Sequence, residues 1–139
     1  MAFNTTTIWH FDAGEWGPST PSPQFFEQYS HEPYIAVARY WRHFMSEEVR
    51  ADACLTRQLD DKMAKGRHAL DVMERHLSEN RFFVADTFGA ADIALYAYTH
   101  VAQEGGFDLG PYPDIRAWLD RVAAQPGHAL ITREDFEEA

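Results

Sequence analysis

Side chains able to move protons, attack carbon or hold a metal are scattered along the 139 residues. His31 stands beside Glu32. A histidine next to a carboxylate is the smallest pair that shuttles a proton near neutral pH, and it is equally an ordinary solvated polar pair. Cys54, the sole cysteine, lies in a polar loop with no evident base beside it, so no activated thiolate is expected there. A single cysteine forms no internal disulfide, in keeping with a reducing compartment. Of the seven histidines, His100 is one helical turn from Glu104 and His43 one turn from Arg39. Neither pair supplies three ligands, and no His-Glu-x-x-His or Cys-x-x-Cys spacing occurs, so no metal is expected. Asp92 falls just inside a helix start, where a carboxylate more naturally caps free amides than performs catalysis. No residue receives a catalytic role on this reading.

These groups must be positioned by helices. From Gln24 to Met45, Phe26, Tyr29, Pro33, Val37, Tyr40 and Phe44 recur in steps that place them on one helical face. Pro33 removes one backbone donor, so this helix either kinks there or begins there with Glu32 as its cap; the continuous face favours a kink. The clearest periodicity is Leu59, Met63, Gly66, Leu70, Met73 and Leu77. It predicts a helix over residues 55–79 whose ridge is core or subunit interface, with Gly66 marking the close approach of another backbone and Asn80 ending it in the left-handed conformation. After the apolar turn Phe82-Phe83-Val84-Ala85, a third helix starts near Gly89, carries Asp92 at its third position and stops at Gly105-Gly106. A fourth, over residues 113–125, puts Ile115, Trp118, Leu119 and Val122 on one side and ends at Pro126-Gly127. Residues 1–23 are dense in turn formers and read as an irregular leader, in which Trp9, Phe11 and Trp16 are available to cover apolar surface and residues 5–11 are compatible with a short strand. The fold class is therefore all-α: a helical bundle over residues 24–139 behind that leader.

Bulk properties narrow the partners. Hydrophobic residues make up 45% and charged residues 24%, as in a folded globular domain rather than a disordered chain. A formal net charge of -10 opposes association with a polyphosphate backbone, so nucleic acid is not an expected partner. No apolar run is long enough to cross a bilayer and the N-terminus lacks a secretion-signal layout, which points to a cytoplasmic protein without membrane contact.

Two stretches carry a family resemblance. Residues 25–39, Phe-Phe-Glu-Gln-Tyr-Ser-His-Glu-Pro-Tyr-Ile-Ala-Val-Ala-Arg, look like the opening helix of the C-terminal domain in bacterial glutathione transferases. Residues 86–95, Asp-Thr-Phe-Gly-Ala-Ala-Asp-Ile-Ala-Leu, resemble that superfamily's buried helix-start motif, with Gly89 where a hydroxyl-bearing cap is usual. A glycine costs only a few tenths of a kcal/mol there relative to serine. The Leu70 to Leu77 helix before this motif and Tyr112-Pro113 to Trp118 after it agree in order and spacing, and the resemblance spans about residues 25–131.

The resemblance implies a parent reaction in which glutathione attacks a small hydrophobic electrophile. It also implies roles. The second-substrate wall falls to His31, Tyr34 and Ala38, with Ser30 and Glu32 reaching a glutathione held by a partner subunit, and Gly89 and Asp92 forming the structural helix cap. Bundle packing is the plainer role for Tyr34 and Ala38. The thioredoxin-like half that activates the thiol is not recognisable in residues 1–23, which hold no Cys-Pro or Ser-Asp-Gly pattern; an unrelated leader joined near Pro23 accounts for the change in composition. The expectation is an isolated helical half with no cofactor of its own and little or no activity alone, glutathione being a co-substrate only if a thioredoxin-like domain is supplied. A homodimer, a thioredoxin-like partner domain and a small hydrophobic ligand are its expected partners. The alternative is a non-enzymatic interaction or dimerisation module, since apolar residues that normally face the missing half would drive association.

Overall fold

The computed structural model describes residues 26–47 and 51–128. The leader, with Trp9, Phe11 and Trp16, and the acidic tail lie outside the described residues. Among the described residues four α-helices follow one another: α1 Glu32–Phe44, α2 Ala53–Leu77, α3 Ala90–Thr99 and α4 Pro113–Ala123. A π-helical turn, Glu27–His31, leads into α1, and a 3-10 turn, Ala102–Gly105, follows α3. Among the described residues the sole β feature is an isolated bridge between Val84 and Thr87, so the all-α bundle expected from the sequence is what forms.

Pro33 is neither a simple kink nor a start. The chain is helical on both sides of it, and the ladder widens just before it, with the Glu32 N–H donating to the Glu27 carbonyl five residues back. A proline ring crowds the preceding turn and brings no donor, and the wider π turn makes room for it. This extra residue changes which face of α1 is buried. Phe26, His31, Ile35 and Ala38 point inward, while Tyr29, Tyr40 and Phe44 are exposed at 67%, 55% and 68%. The face expected from aromatic spacing is thus corrected: most of its aromatics lie outside.

Helix α2 starts earlier than its apolar ridge. Asp52 caps it, its Oδ1 accepting from the amides of Cys54 and Leu55 at 2.7 and 3.0 Å, so Cys54 lies in a first helical turn rather than a loop, and exposed. Met63, Gly66, Leu70, Met73 and Leu77 are all buried, with Leu59 at the margin. Gly66 does face a close neighbour, but a side chain: a Cβ there would sit 2.5 Å from Phe107 Cζ. The backbone contact is at Gly105, where a Cβ would lie 3.1 Å from the Arg39 amide nitrogen in α1. Nor does Asn80 turn left-handed. It ends α2 through its side chain, Nδ2 donating to the His76 carbonyl at 2.9 Å, while the left-handed non-glycine residues among those described are Ala85 and Asp86 in the turn before α3.

Helix α3 stops at Thr99, short of the glycine pair; the 3-10 turn intervenes and Gly106, at φ +86°, closes it. Helix α4 ends at Ala123 and is capped from outside: Glu74 of α2 accepts from the amides of Asp114 and Ile115 at 3.0 and 2.9 Å. Beside it, the Tyr112 hydroxyl donates to Asp71 Oδ1 at 2.9 Å; burial first, then that bond, pushes Tyr112 up to about 12. Trp118, wholly buried, meets Phe83 edge-on at 5.3 Å and ties α4 into the core.

Candidate functional site

The five residues singled out on the first helix do not share one wall. His31 and Ala38 are both 0% exposed, turned into the bundle by the π turn. His31 Nε2 lies 2.8 Å from Thr99 Oγ1, and the Thr99 hydroxyl itself donates to the Leu95 carbonyl at 2.7 Å. With its hydrogen committed, the hydroxyl accepts from His31, which fixes the Nε2–H tautomer and leaves Nδ1 a bare lone pair with no partner among the described residues. Burial alone lowers the His31 pKa from 6.5 to about 3, so the ring is neutral throughout the physiological range. It is a packing group bridging α1 and α3, not half of a solvated pair with Glu32.

Ser30, Glu32 and Tyr34 are half-buried. Tyr34 turns toward α2, where the ammonium groups of Lys62 and Lys65 lie 5.8 and 5.6 Å from its ring centroid. Lys62 is also 5.6 Å from the Trp41 ring and donates to the Pro33 carbonyl at 3.3 Å. Lys65 bonds Asp61, and that hydrogen bond raises its pKa. Glu32, by contrast, lines an open groove of about 330 Å³ together with Ala36, Val37, Tyr40, Phe44 and Tyr98. Its walls are largely apolar, with Glu32 among the lining residues. Tyr40 and Phe44, one turn apart on α1, stack with ring centroids 5.5 Å apart. Arg39 also reaches the groove, but its Nε is engaged by Glu104 Oε2 at 2.6 Å, and His43 Nε2 approaches the Glu104 carbonyl at 3.2 Å. The one-turn pairs read from the sequence are therefore split: Glu104 bonds Arg39, and His100 bonds the Tyr96 carbonyl. No group of three metal-ligating side chains exists among the described residues.

Asp92 is wholly buried and saturated. Its Oδ2 accepts from the Gly89 amide at 3.0 Å, and its Oδ1 from the Phe83 amide at 3.2 Å and Trp118 Nε1 at 2.9 Å. In return the Asp92 amide donates to the Gly89 carbonyl at 3.0 Å. One carboxylate thus joins the α3 start, the preceding turn and α4. Thr99, Tyr98, Lys62 and Glu74 join these contacts without a motif of their own in the sequence. Thr99 follows Leu95 by one turn on the buried side of α3, a signal that could have flagged it; the others are set by tertiary contact alone.

Comparison with known proteins decides the family. The model of the glutathione S-transferase C-terminal domain matches residues 50–126, more than half of the chain. The chain belongs to the glutathione S-transferase family. A crystal structure of a glutathione S-transferase from Pseudomonas fluorescens is 51% identical with a TM-score of 0.69, covering 78% of this chain and 52% of that one. A glutathione S-transferase from Xanthobacter autotrophicus is 43% identical with a TM-score of 0.72, covering 89% and 63%. A probable glutathione S-transferase of Nicotiana tabacum is 35% identical over 119 residues, 76% of this chain and 53% of the relative. The chain thus spans about half the length of the curated glutathione S-transferases that it matches over most of its own. None of the described helices is long and apolar enough to cross a membrane.

Proposed function

We propose that this chain supplies the helical half of a glutathione transferase unit, and that as the given 139 residues it has little or no turnover. The reading rests on the 51% identity to the Pseudomonas fluorescens glutathione S-transferase. In the parent reaction the glutathione sulfur bonds to an electrophilic carbon, the leaving group departs with its electron pair, and the thiol proton is lost to a base. Catalysis needs a group that lowers the thiol pKa and a wall that holds the electrophile. The α1 groove supports the second role. For the first, the only described cysteine is exposed Cys54, and the histidine on α1's buried side is a neutral ring spent on Thr99. Of the residues assigned to binding, Ser30, Glu32 and Tyr34 keep accessible surface and are the ones proposed to touch substrate or a partner-held glutathione; His31 and Ala38 act through packing.

Residues 24–139 form the domain on this reading, the domain is of the bacterial type, and its compartment is the cytoplasm. A thioredoxin-like domain or a second copy completes the unit. The test is direct: the purified chain is assayed with glutathione and chlorodinitrobenzene and titrated with glutathione by calorimetry. Turnover above buffer accompanied by heat of binding refutes the proposed lack of activity in these 139 residues. A second reading, a non-enzymatic dimerisation module, draws on exposed Tyr29 in the π turn and Tyr40 and Phe44 on α1. Light scattering that finds a monomer at all concentrations removes it.

A further inference from the structure

Helix α4 is followed by a turn that sends the chain back toward α3. The His128 amide donates to the Gln125 carbonyl at 3.2 Å, with Pro126 and Gly127 between them and Gly127 at φ +81°. Proline first and a left-handed glycine second is the pattern of a type II turn, which reverses the chain within four residues. His128 is then held on α3: its Nε2 lies 2.9 Å from the Tyr96 hydroxyl, and its ring meets Tyr96 edge-on at 5.1 Å. Both rings also line a cavity of about 290 Å³, to which Phe88, Ile93, Ala97 and Val122 give apolar walls. Ile93 is 58% exposed, whereas Leu95, the other large aliphatic side chain of α3, is wholly buried.

We propose that the chain after His128 fills this cavity itself, with the Ala129-Leu130-Ile131 step laid across it and an aliphatic side chain of that step seated among Phe88, Ile93, Ala97 and Val122. Reach and composition select this occupant. At ~3.3–3.6 Å per residue, Leu130 and Ile131 fall within about 7 and 11 Å of the anchored His128, which itself lines the cavity. All three residues are apolar, and Thr132-Arg133-Glu134-Asp135 after them are polar or charged, so this step has the apolar surface to bury. A dry cavity of about 150 Å³ already accepts a benzene-sized group, so the space here has room for a leucine or isoleucine side chain. The seated group also covers exposed Ile93. Tethering favours it over a second copy of the chain, because a segment two or three residues from its anchor has an effective concentration in the millimolar range. No residue of α1 lines this cavity, so the docking is independent of the α1 groove and of the transfer reaction proposed above.

NMR of the full chain with labelled methyl groups tests it. Cross-relaxation is expected from the methyls of Leu130 or Ile131 to the Phe88 ring and to the methyls of Ala97 or Ile93. A mixture of labelled and unlabelled chains locates these contacts within one molecule; contacts found only between molecules make a second copy the occupant and overturn the proposal. Joint Leu130→Asp and Ile131→Asp substitution sets carboxylates against apolar walls, so the contacts vanish and the Ala97 and Ile93 methyl resonances shift. Joint Leu130→Val and Ile131→Val substitution keeps the contacts. Circular dichroism melting identifies a variant that has unfolded, in which case the contacts in the parent chain decide alone. No contact from either residue in the parent chain, or unchanged Ala97 and Ile93 resonances in the folded double-aspartate variant, refutes the docking and leaves the cavity to another occupant.

Discussion

Acidification attacks the bundle at His31. The ring is wholly buried, its pKa lowered to about 3 by desolvation, while in the unfolded chain it returns to 6.5. Below pH 6.5 the unfolded state therefore takes up a proton that the folded state refuses. The stability associated with the neutral ring is fully present above pH 6.5 and is lost progressively as the pH falls toward 3. The slope approaches 1.36 kcal/mol per pH unit. Between pH 7 and pH 4.5 this single group removes about 2–3 kcal/mol, a large share of the ~5–15 kcal/mol that holds a domain folded. The informative perturbation is His31→Gln, whose amide keeps a donor for Thr99 Oγ1 but does not titrate. At pH 7 the variant is less stable than the parent by about 1–3 kcal/mol, from imperfect packing and a displaced hydrogen bond. The decisive quantity is the difference in pH dependence. Urea unfolding followed at pH 7 and pH 4.5 on both proteins cancels the carboxylates and other histidines common to them. The parent then loses about 2–3 kcal/mol more than the variant on acidification. Equal losses in the two proteins would refute the burial of a neutral His31.

Three further outcomes follow from the packing. Asp92→Ala strands the Phe83 and Gly89 amides and the Trp118 indole, costing about 3–5 kcal/mol in urea unfolding, and amide exchange at Phe83 and Gly89 rises with it. Ala85, at φ +51°, occupies a conformation that penalises a Cβ, so Ala85→Gly raises stability by about 1 kcal/mol, read as a higher melting temperature; an unchanged or lowered value contradicts the left-handed turn. Gly66→Ala drives a Cβ into the Phe107 ring and destabilises by about 1–2 kcal/mol, net of the gain in helix propensity. In a Phe107→Leu background the same change costs less, and a double-mutant cycle with coupling below about 0.5 kcal/mol rejects the contact.

Helix α1 shows where local reasoning goes astray. The spacing of Phe26, Tyr29, Pro33, Val37, Tyr40 and Phe44 assumes one unbroken α-helical period. The π turn before Pro33 inserts a residue into that count, so His31, Ile35 and Ala38 face the core and the aromatics turn outward. An apolar residue is no proof of burial, because much of any folded surface is apolar. His31 shows the same limit. Its neighbour in sequence is Glu32, yet its partner is Thr99, 68 positions away.

The sequence by itself determined the elements: four helices in order, the buried ridge of α2, the helix start at Gly89 with Asp92 inside it, and the family they belong to. These are legible because periodicity, caps and breakers act over a few residues, within the reach of a single turn. Tertiary structure alone decided what those elements touch. It brought Phe107 onto Gly66, the Arg39 backbone onto Gly105, Glu74 onto the start of α4 and Thr99 onto His31. Such contacts join residues tens of positions apart, and they depend on how the helices cross and on a one-residue shift of register, neither of which a local pattern encodes.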